Sequence, residues 1–303
     1  MKTWKYSFIV LLGGCCYGAL STFVKLAYAA GFSVEEVTGI QYLLGTLLIW
    51  TVALFSKKKK LTLGKIGKLL LSGIPLGLTG VFYYQSLQTL HASLAIIFLF
   101  QFVWIGTFFE WFFYKKIPAI GKIVSIGILI IGSILAAGVL AGDNGVITWQ
   151  GAVWGLLSAV SYTSFIFLSG TVEIDLPPVQ KSAIFSTGGL ITVFIMFQPT
   201  ELFHIPVLIG IVPYGLFLGL LGVALPPLLF SIGMPHIEPG LGTILTASEL
   251  PIAVILSTLF LAEHVSISQW LGVVLILGGI AAGNVNLSKA KIKSHSLEKE
   301  SVS

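Results

Sequence analysis

The chain has 303 residues, of which 56% are hydrophobic and only 10% are charged, and its mean hydropathy is +0.98. An average soluble domain carries roughly 25% charged residues, so this composition excludes an ordinary soluble enzyme and a disordered chain. It also excludes a nucleic-acid-binding domain, although the net charge is +5. The composition instead predicts an all-α membrane protein that crosses the bilayer several times.

Apolar runs of about 20 residues, the length that a transmembrane helix needs, follow one another along the chain. Ten such spans cover 7–29, 36–56, 69–87, 92–113, 120–141, 150–170, 180–197, 207–232, 240–262 and 266–286. They are numbered 1 to 10 in this order. The short connections leave no room for an inserted soluble domain. The sequence therefore predicts a first half at 1–142, a second half at 143–286 and a polar cytoplasmic tail at 287–303.

The lysines decide the predicted orientation. Every lysine except Lys25 lies at a terminus, in one of alternate connections or within the first three residues of the span that follows such a connection, and the intervening connections contain none. Cytoplasmic loops of membrane proteins carry an excess of lysine and arginine. Both termini are therefore predicted to be cytoplasmic, in a multi-pass protein of the plasma membrane.

Residue pairs recur about 145 positions apart. Ser86 and His91 after span 3 match Ser231 and His236 after span 8. Each half has five spans, an odd number, so the second half enters the membrane in the opposite orientation. This predicts two inverted five-helix repeats, an architecture of secondary transporters whose substrate sites lie near the bilayer midplane between the repeats.

Gly-x-x-x-Gly motifs in spans 1, 3, 6, 8 and 10 predict close helix contacts. Packing of helices inside one chain explains them. A dimer contact through the motif of span 10, Gly279 and Gly283, is the alternative.

Several motifs of the second half resemble a known family. Glu249-Leu250-Pro251, followed by residues 260–264 (Phe-Leu-Ala-Glu-His) and Gly272, is similar to the EamA-like branch of the drug/metabolite transporter superfamily. The resemblance covers 7–286. It implies a secondary transporter that moves amino acids, amines or other small metabolites by alternating access, as an exporter, through a cavity lined by both halves. Gln41 stands roughly where the family often has an arginine, so an arginine that would hold an anionic substrate is missing.

Ionisable groups inside the bilayer are costly and mark functional sites. Glu249 lies near the middle of span 9, and Pro251 predicts a kink that frees a carbonyl toward a cavity. Glu249 is therefore the predicted proton carrier or amine ligand, and a purely structural hydrogen-bonding role is the alternative. Gln101 is its uncharged counterpart in the first half.

Two further charged residues lie within spans. Lys25 is predicted either to reach the outer headgroups or to pair with a carboxylate of the substrate or the protein. Glu110 lies close to the inner surface, where an ion pair with Lys115 or Lys116 is predicted.

Polar and aromatic side chains inside the spans complete the predicted substrate site. Aromatic rings with polar tips suit a small amphipathic ligand and can hold an amine by cation–π contact. These residues are Tyr17 in span 1, Gln41 in span 2, Tyr83, Tyr84 and Gln85 in span 3, Trp104 in span 4 and Tyr162 in span 6.

A membrane channel or a sensor without ion-coupled transport is the alternative function that the sequence leaves open. An enzyme is not expected, because no paired carboxylates, metalloprotease motif or Ser/His constellation lies at membrane depth. No cofactor and no nucleic acid are expected. The expected partners are a small-molecule substrate, the lipid bilayer and a proton as coupling ion, and the oligomeric state stays open.

Overall fold

The computed structural model describes residues 2–90, 92–136, 148–260 and 265–282. Short turns join the helices of these ranges, and no residue within them belongs to a β-strand. Their α-helices are α1 (Lys2–Ala29), α2 (Val34–Leu54), α3 (Leu63–Leu87), α4 (Ala92–Phe100), α5 (Phe102–Tyr114), α6 (Ile120–Ala136), α7 (Trp149–Thr171), α8 (Pro178–Phe197), α9 (Ile205–Gly219), α10 (Leu225–Gly233), α11 (Pro239–Thr246), α12 (Glu249–Phe260) and α13 (Ile267–Ala282).

The predicted spans coincide with these helices. Within the described ranges, eight helical segments are long and apolar enough to cross a membrane, and α6 and α13 are two shorter apolar helices. Span 4 corresponds to α4 with α5, span 8 to α9 with α10, and span 9 to α11 with α12. The C-terminal ends of spans 5, 9 and 10 lie outside the described residues. The all-α architecture is confirmed, whereas the number of crossings stays a prediction.

Spans 4 and 9 are each broken near the middle. A single turn residue, Gln101, separates α4 from α5, while Ala247 and Ser248 separate α11 from α12. The break in span 9 therefore precedes Glu249, and the predicted kink at Pro251 is wrong in its position. Pro251 lies in the first turn of α12 instead, where the missing N–H of proline is tolerated.

Span 8 is also irregular. Residues 220–224 form a π-helical turn between α9 and α10. Pro226 and Pro227 follow in the first turn of α10 and supply no N–H to the carbonyl groups of this turn. The Ser186 hydroxyl of α8 donates to one of these carbonyl oxygens, that of Val223, at 2.8 Å. Irregular backbone therefore lies where helices of the second half meet.

Glycines let helices of the two halves approach closely. A Cβ atom on Gly45 of α2 would lie 2.6 Å from the Gly219 carbonyl oxygen of α9. A Cβ atom on Gly77 of α3 would likewise lie 2.6 Å from the Gly189 carbonyl oxygen of α8. Gly279 of α13 faces α6 of the same chain. The small residues thus pack inside the chain, as predicted.

The second spans of the two halves, α2 and α8, pack against each other in opposite directions. Tyr42 lies against Gly189, and four residues further along α2 the Thr46 hydroxyl donates to the Ser186 carbonyl oxygen at 3.2 Å. The residue number rises along one helix as it falls along the other. These two helices are therefore antiparallel.

The fifth spans, α6 and α13, show the same relation. The Ser125 hydroxyl donates to the Gly279 carbonyl oxygen at 2.5 Å, and Gly132 lies against Gly272. Corresponding helices of the two halves thus run in opposite directions at two separate places.

Candidate functional site

A cavity of about 340 Å³ lies between the two halves. Its wall comes from α1, α2, α3, α4, α7, α12 and the π-helical turn before α10, together with Leu90. This volume suits a small organic molecule. Of the ten site residues predicted from the sequence, seven lie in the wall: Tyr17, Lys25, Gln41, Tyr83, Tyr84, Tyr162 and Glu249.

One face of α1 supplies a strip of the wall. Tyr17, Ser21, Val24, Lys25 and Tyr28 all line the cavity. The other four follow Tyr17 by four, seven, eight and eleven residues, which places all five on one side of a helix. Tyr28 was not predicted as a site residue, although its position on the face of Tyr17 is the sequence signal that could have identified it. Its hydroxyl is buried and has no hydrogen-bond partner among the described residues.

Glycines of α1 place Glu249 beside the cavity. Gly14 lies against Ser248, and Gly18 lies against the backbone of Glu249. The Ser248 hydroxyl also donates to the Leu11 carbonyl oxygen at 2.9 Å. The broken middle of span 9 is therefore held against α1. The half-buried Glu249 side chain receives no hydrogen bond from any described residue, so its carboxyl group is available to a ligand.

Helices α2 and α3 form the wall next to this strip. The Tyr42 hydroxyl donates to the Leu76 carbonyl oxygen at 2.7 Å and so joins α2 to α3. The Tyr84 hydroxyl points to Gln41 Oε1 at a longer distance of 3.4 Å. Gln41 is almost fully buried. This part of the wall thus presents amide and phenol groups and no positive charge.

Aromatic rings close one end of the cavity. The rings of Tyr17 and Tyr162 meet edge to face with centroids 5.5 Å apart, and Phe102 lies 4.9 Å from Tyr162. Phe230 lies 6.1 Å from Tyr17 and 6.0 Å from Phe165. We call these five rings the aromatic floor. The hydroxyl groups of Tyr17 and Tyr162 are buried and find no hydrogen-bond partner in the described part of the chain.

Beyond the aromatic floor, the end of the molecule where α1 and α3 begin carries polar contacts between the two halves. Besides a longer pair of Lys68 Nζ with Glu173 Oε1 at 4.0 Å, two of them are shorter ion pairs and one is a hydrogen bond from a lysine to a backbone carbonyl. We call them the latch: Lys65 Nζ to Glu173 Oε2 at 3.0 Å, Lys116 Nζ to Glu238 Oε1 at 3.4 Å, and Lys59 Nζ to the Asp175 carbonyl oxygen at 2.6 Å. The cavity is therefore separated from this end by aromatic packing and by charged contacts.

Glu110 does not pair as predicted. Its carboxylate forms a buried ion pair with Lys122 instead of Lys115 or Lys116. Lys115 ends α5 with a positive φ of 55°, which turns the chain so that α6 returns toward α5. The pair lies against Gly240 at the start of α11, where a side chain would overlap both charged groups.

Three predicted residues lie outside the cavity wall. Gln101 Nε2 donates to the Ile97 carbonyl oxygen at 2.9 Å, and Trp104 Nε1 donates to Gln101 Oε1 at 2.8 Å. The Trp104 side chain is 42% exposed on the outer surface of the helix bundle. Gln85 of α3 is half-buried. The structure therefore does not bring Gln85, Gln101 and Trp104 together with the seven predicted residues that line the cavity.

The arrangement offers one carboxyl group, the ammonium group of Lys25, several phenol groups and an amide around a small apolar space. Nowhere in the described ranges do three His, Cys, Asp or Glu side chains come close enough to hold a metal ion. Binding here would therefore depend on hydrogen bonds, charge and aromatic contact.

Comparisons with known proteins agree with the architecture. The sequence model of the EamA-like transporter family matches twice, at residues 4–138 and 149–283. No curated protein matches the sequence. Among solved structures, one crystal structure, titled simply "Crystal structure of protein", is similar to this chain, with a TM-score of 0.72 and 16% sequence identity. The match covers 93% of this chain and 98% of the other, and at this identity it shows a shared fold alone.

Proposed function

The chain belongs to the EamA-like transporter family, and we propose that it exports amino acids or amines across the plasma membrane as a secondary transporter with alternating access. Membership makes it a multi-pass membrane protein that transports small molecules. The observation that carries the proposal is the cavity between the halves, which holds a lone carboxyl group and ends at the aromatic floor.

The relation between the two halves supports an inverted repeat and, with it, alternating access. The family model matches each half separately, and the paired second spans and paired fifth spans run antiparallel. Such repeats let one bundle rock against the other, so that a central site opens first to one side and then to the other. The glycine contacts between α2 and α9 and between α3 and α8 would form the sliding surfaces.

The position of the cavity supports an orientation for this state. The cavity lies toward the C-terminal ends of α1 and α3, whereas the latch and nearly all described lysines lie near the N-terminal ends of these two helices. With lysines on the cytoplasmic side, the cavity belongs to the outer half of the bilayer and both termini are cytoplasmic. In the opposite state the latch opens and the outer walls close.

Glu249 is the residue that we assign to coupling. It lies at the broken middle of span 9, and its carboxyl group can exchange a proton within the cavity. The other titratable groups in the cavity wall are Lys25 and six tyrosines, Tyr17, Tyr28, Tyr42, Tyr83, Tyr84 and Tyr162. A proton gradient across the membrane would then drive export through this one carboxyl group.

Flux measurements in proteoliposomes test the proposal. The protein should exchange an amine or amino acid across the vesicle membrane. The flux should saturate with substrate concentration, and substrate on the opposite side of the membrane should accelerate it. A channel would give flux without saturation or acceleration. With an imposed proton gradient, Glu249→Gln should lose net uphill flux. Glu201→Gln, an exposed acid at the opposite end from the latch, should keep it. Equal uphill flux in both variants would refute the coupling role.

A further inference from the structure

The connection between α2 and α3 is a strongly positive surface. Residues 57–68 contain six lysines and no acidic residue, and the first four, Lys57–Lys60, lie in this connection with exposed side chains. We call residues 55–62 the basic loop. Within the described ranges, Lys59 Nζ donates to the Asp175 carbonyl oxygen, whereas the ammonium groups of Lys57, Lys58 and Lys60 contact no acid. Three positive charges are therefore available to a ligand.

The neighbouring acids leave these charges in excess. They are Glu173 and Asp175, in the connection between α7 and α8. Glu173 pairs with Lys65 at 3.0 Å and with Lys68 at 4.0 Å, both of which belong to α3. The exposed Asp175 carboxylate forms no ion pair with any lysine that the structure describes. The basic loop thus keeps a net positive charge.

A buried amide of the second half holds the basic loop in place. Gln180, in the first turn of α8, accepts a hydrogen bond from the Lys59 backbone N–H on its Oε1 at 2.9 Å. Its Nε2 donates to the Lys59 carbonyl oxygen, also at 2.9 Å. A rule that keeps lysines on the cytoplasmic side requires the charges alone and no fixed backbone. The two hydrogen bonds therefore indicate that the loop displays its lysines in one arrangement.

Apolar side chains show which surroundings the basic loop meets. Phe55 at its beginning is 88% exposed, and Leu63, directly after it, is 87% exposed. Large apolar side chains on the outside of a membrane protein face lipid, so the lysines between them lie at the level of the headgroups. Lysine clusters next to a membrane helix attract anionic lipids.

From these observations we propose that the basic loop binds the headgroup of an anionic phospholipid, and that it binds most tightly while Gln180 holds it. Each ammonium group has three N–H donors and a full charge for the phosphate oxygens of the headgroup. Opening of the latch releases Lys59 and with it the fixed arrangement. By reciprocity, a lipid that prefers the held loop favours the closed latch. The site goes beyond the proposed transport and needs no substrate.

Thermal unfolding of the detergent-purified full chain tests the ligand class. Dioleoyl-phosphatidylglycerol should raise the unfolding temperature in a saturable manner, and dioleoyl-phosphatidylcholine, with the same acyl chains, should not. Glycerol 3-phosphate at the same concentrations should have no effect, because it brings a phosphate without a bilayer anchor. An equal rise with phosphatidylcholine would overturn the charge requirement. An equal rise with glycerol 3-phosphate would make the loop a site for soluble phosphate and overturn the lipid assignment.

Charge removal tests the location. Lysines next to an anionic membrane surface each strengthen binding about fivefold, so replacing Lys57, Lys58 and Lys60 together by Gln should weaken phosphatidylglycerol on the order of 100-fold. The matched control removes three lysines of the polar tail, 289, 291 and 293, and should retain the parent affinity. An equal loss in both triple variants would mean that net charge, and not the basic loop, attracts the lipid, and would overturn the site.

Gln180→Leu tests the fixed arrangement, because it removes both hydrogen bonds to Lys59 and leaves every lysine in place. The lipid must then order the loop itself, which should weaken phosphatidylglycerol about 2- to 10-fold. Unchanged affinity in this variant would overturn the preference for the held loop. These titrations involve no transport, so flux that fails in proteoliposomes would leave the lipid site intact, and a failed titration would leave the proposed function intact.

Discussion

The latch makes a quantitative prediction about the equilibrium between the two states. Replacing Glu173 and Glu238 together by Gln removes both ion pairs but keeps side chains of the same shape. If the latch holds the cytoplasmic side closed, the double variant should populate the inward-open state more often. The third contact, from Lys59 to a backbone carbonyl, stays in place.

The expected size follows from the exposure of the partners. Lys116 and Glu238 are well exposed, with 61% and 44% of their side-chain surfaces accessible, whereas the Glu173 side chain is only 15% exposed. Ion pairs of this kind contribute about 0.2–1 kcal/mol each, so both together contribute on the order of 0.5–2 kcal/mol. As long as the inward-open state stays the minor one, its fraction should then rise roughly 2- to 30-fold.

Thiol labelling measures this change. Met234 is 3% exposed between α10 and α11, on the latch side of the aromatic floor. Met234→Cys, in a background without the two native cysteines, should therefore react slowly in the parent and faster in the double variant. High salt should speed labelling in the parent and have little effect in the double variant. In 1 M salt the Debye screening length is only about 3 Å, so the attraction between exposed charges of an ion pair is weakened.

The control is Glu201→Gln, which removes an exposed acid whose partner, His204, lies in the same half. It should leave labelling at the parent rate. Equal labelling rates in the parent, the double variant and the control, at low and at high salt, would refute the latch.

Three further predictions concern stability and topology. Lys122→Met should destabilise the protein by about 3–5 kcal/mol in thermal or denaturant unfolding, since it leaves the Glu110 charge buried, while Lys122→Met with Glu110→Gln should recover most of that loss; additive losses would contradict this. Gly77→Ala places a methyl group 2.6 Å from a carbonyl oxygen of α8 and should cost about 1–3 kcal/mol by the same measurement, whereas unchanged stability would mean that the helices can move apart. In the cysteine-free background, Glu201→Cys should react with an impermeant reagent added outside intact cells and Lys58→Cys should not, and the reverse pattern would invert the proposed topology.

The fold was largely predictable because membrane helices are encoded locally. A long apolar run specifies a span whatever its neighbours are, since backbone groups in lipid must bond within the helix. Helix irregularities were harder. The position of Pro251 predicts a kink at that residue, but the chain breaks at Ala247 and Ser248, so the proline lies in the first turn of a new helix that begins at Glu249. Sequence marks the residue that disturbs a helix and not the register at which the helix restarts.

The candidate site was predictable where residues face inward from unbroken helices. Tyr17, Tyr84 and Tyr162 belong to such helices and line the cavity. Trp104 was predicted from its spacing to Gln101, and the two side chains do share one face and a hydrogen bond. That face points outward, and spacing alone does not say which side of a helix meets a cavity.

The two broken spans explain how a repeated fold acquires one charged site. A helix break leaves carbonyl groups without donors, and a side chain near the break can satisfy one of them only if it has an N–H or O–H to donate. Gln101 has such a group and bonds to the Ile97 carbonyl oxygen of its own helix, so its amide is used within the first half. When ionised, the Glu249 carboxylate can only accept hydrogen bonds, and the neighbouring backbone carbonyl groups have no hydrogen to donate. Its carboxyl group therefore turns to the cavity, where a donor from outside the protein, a proton or an ammonium, is the partner that fits its chemistry.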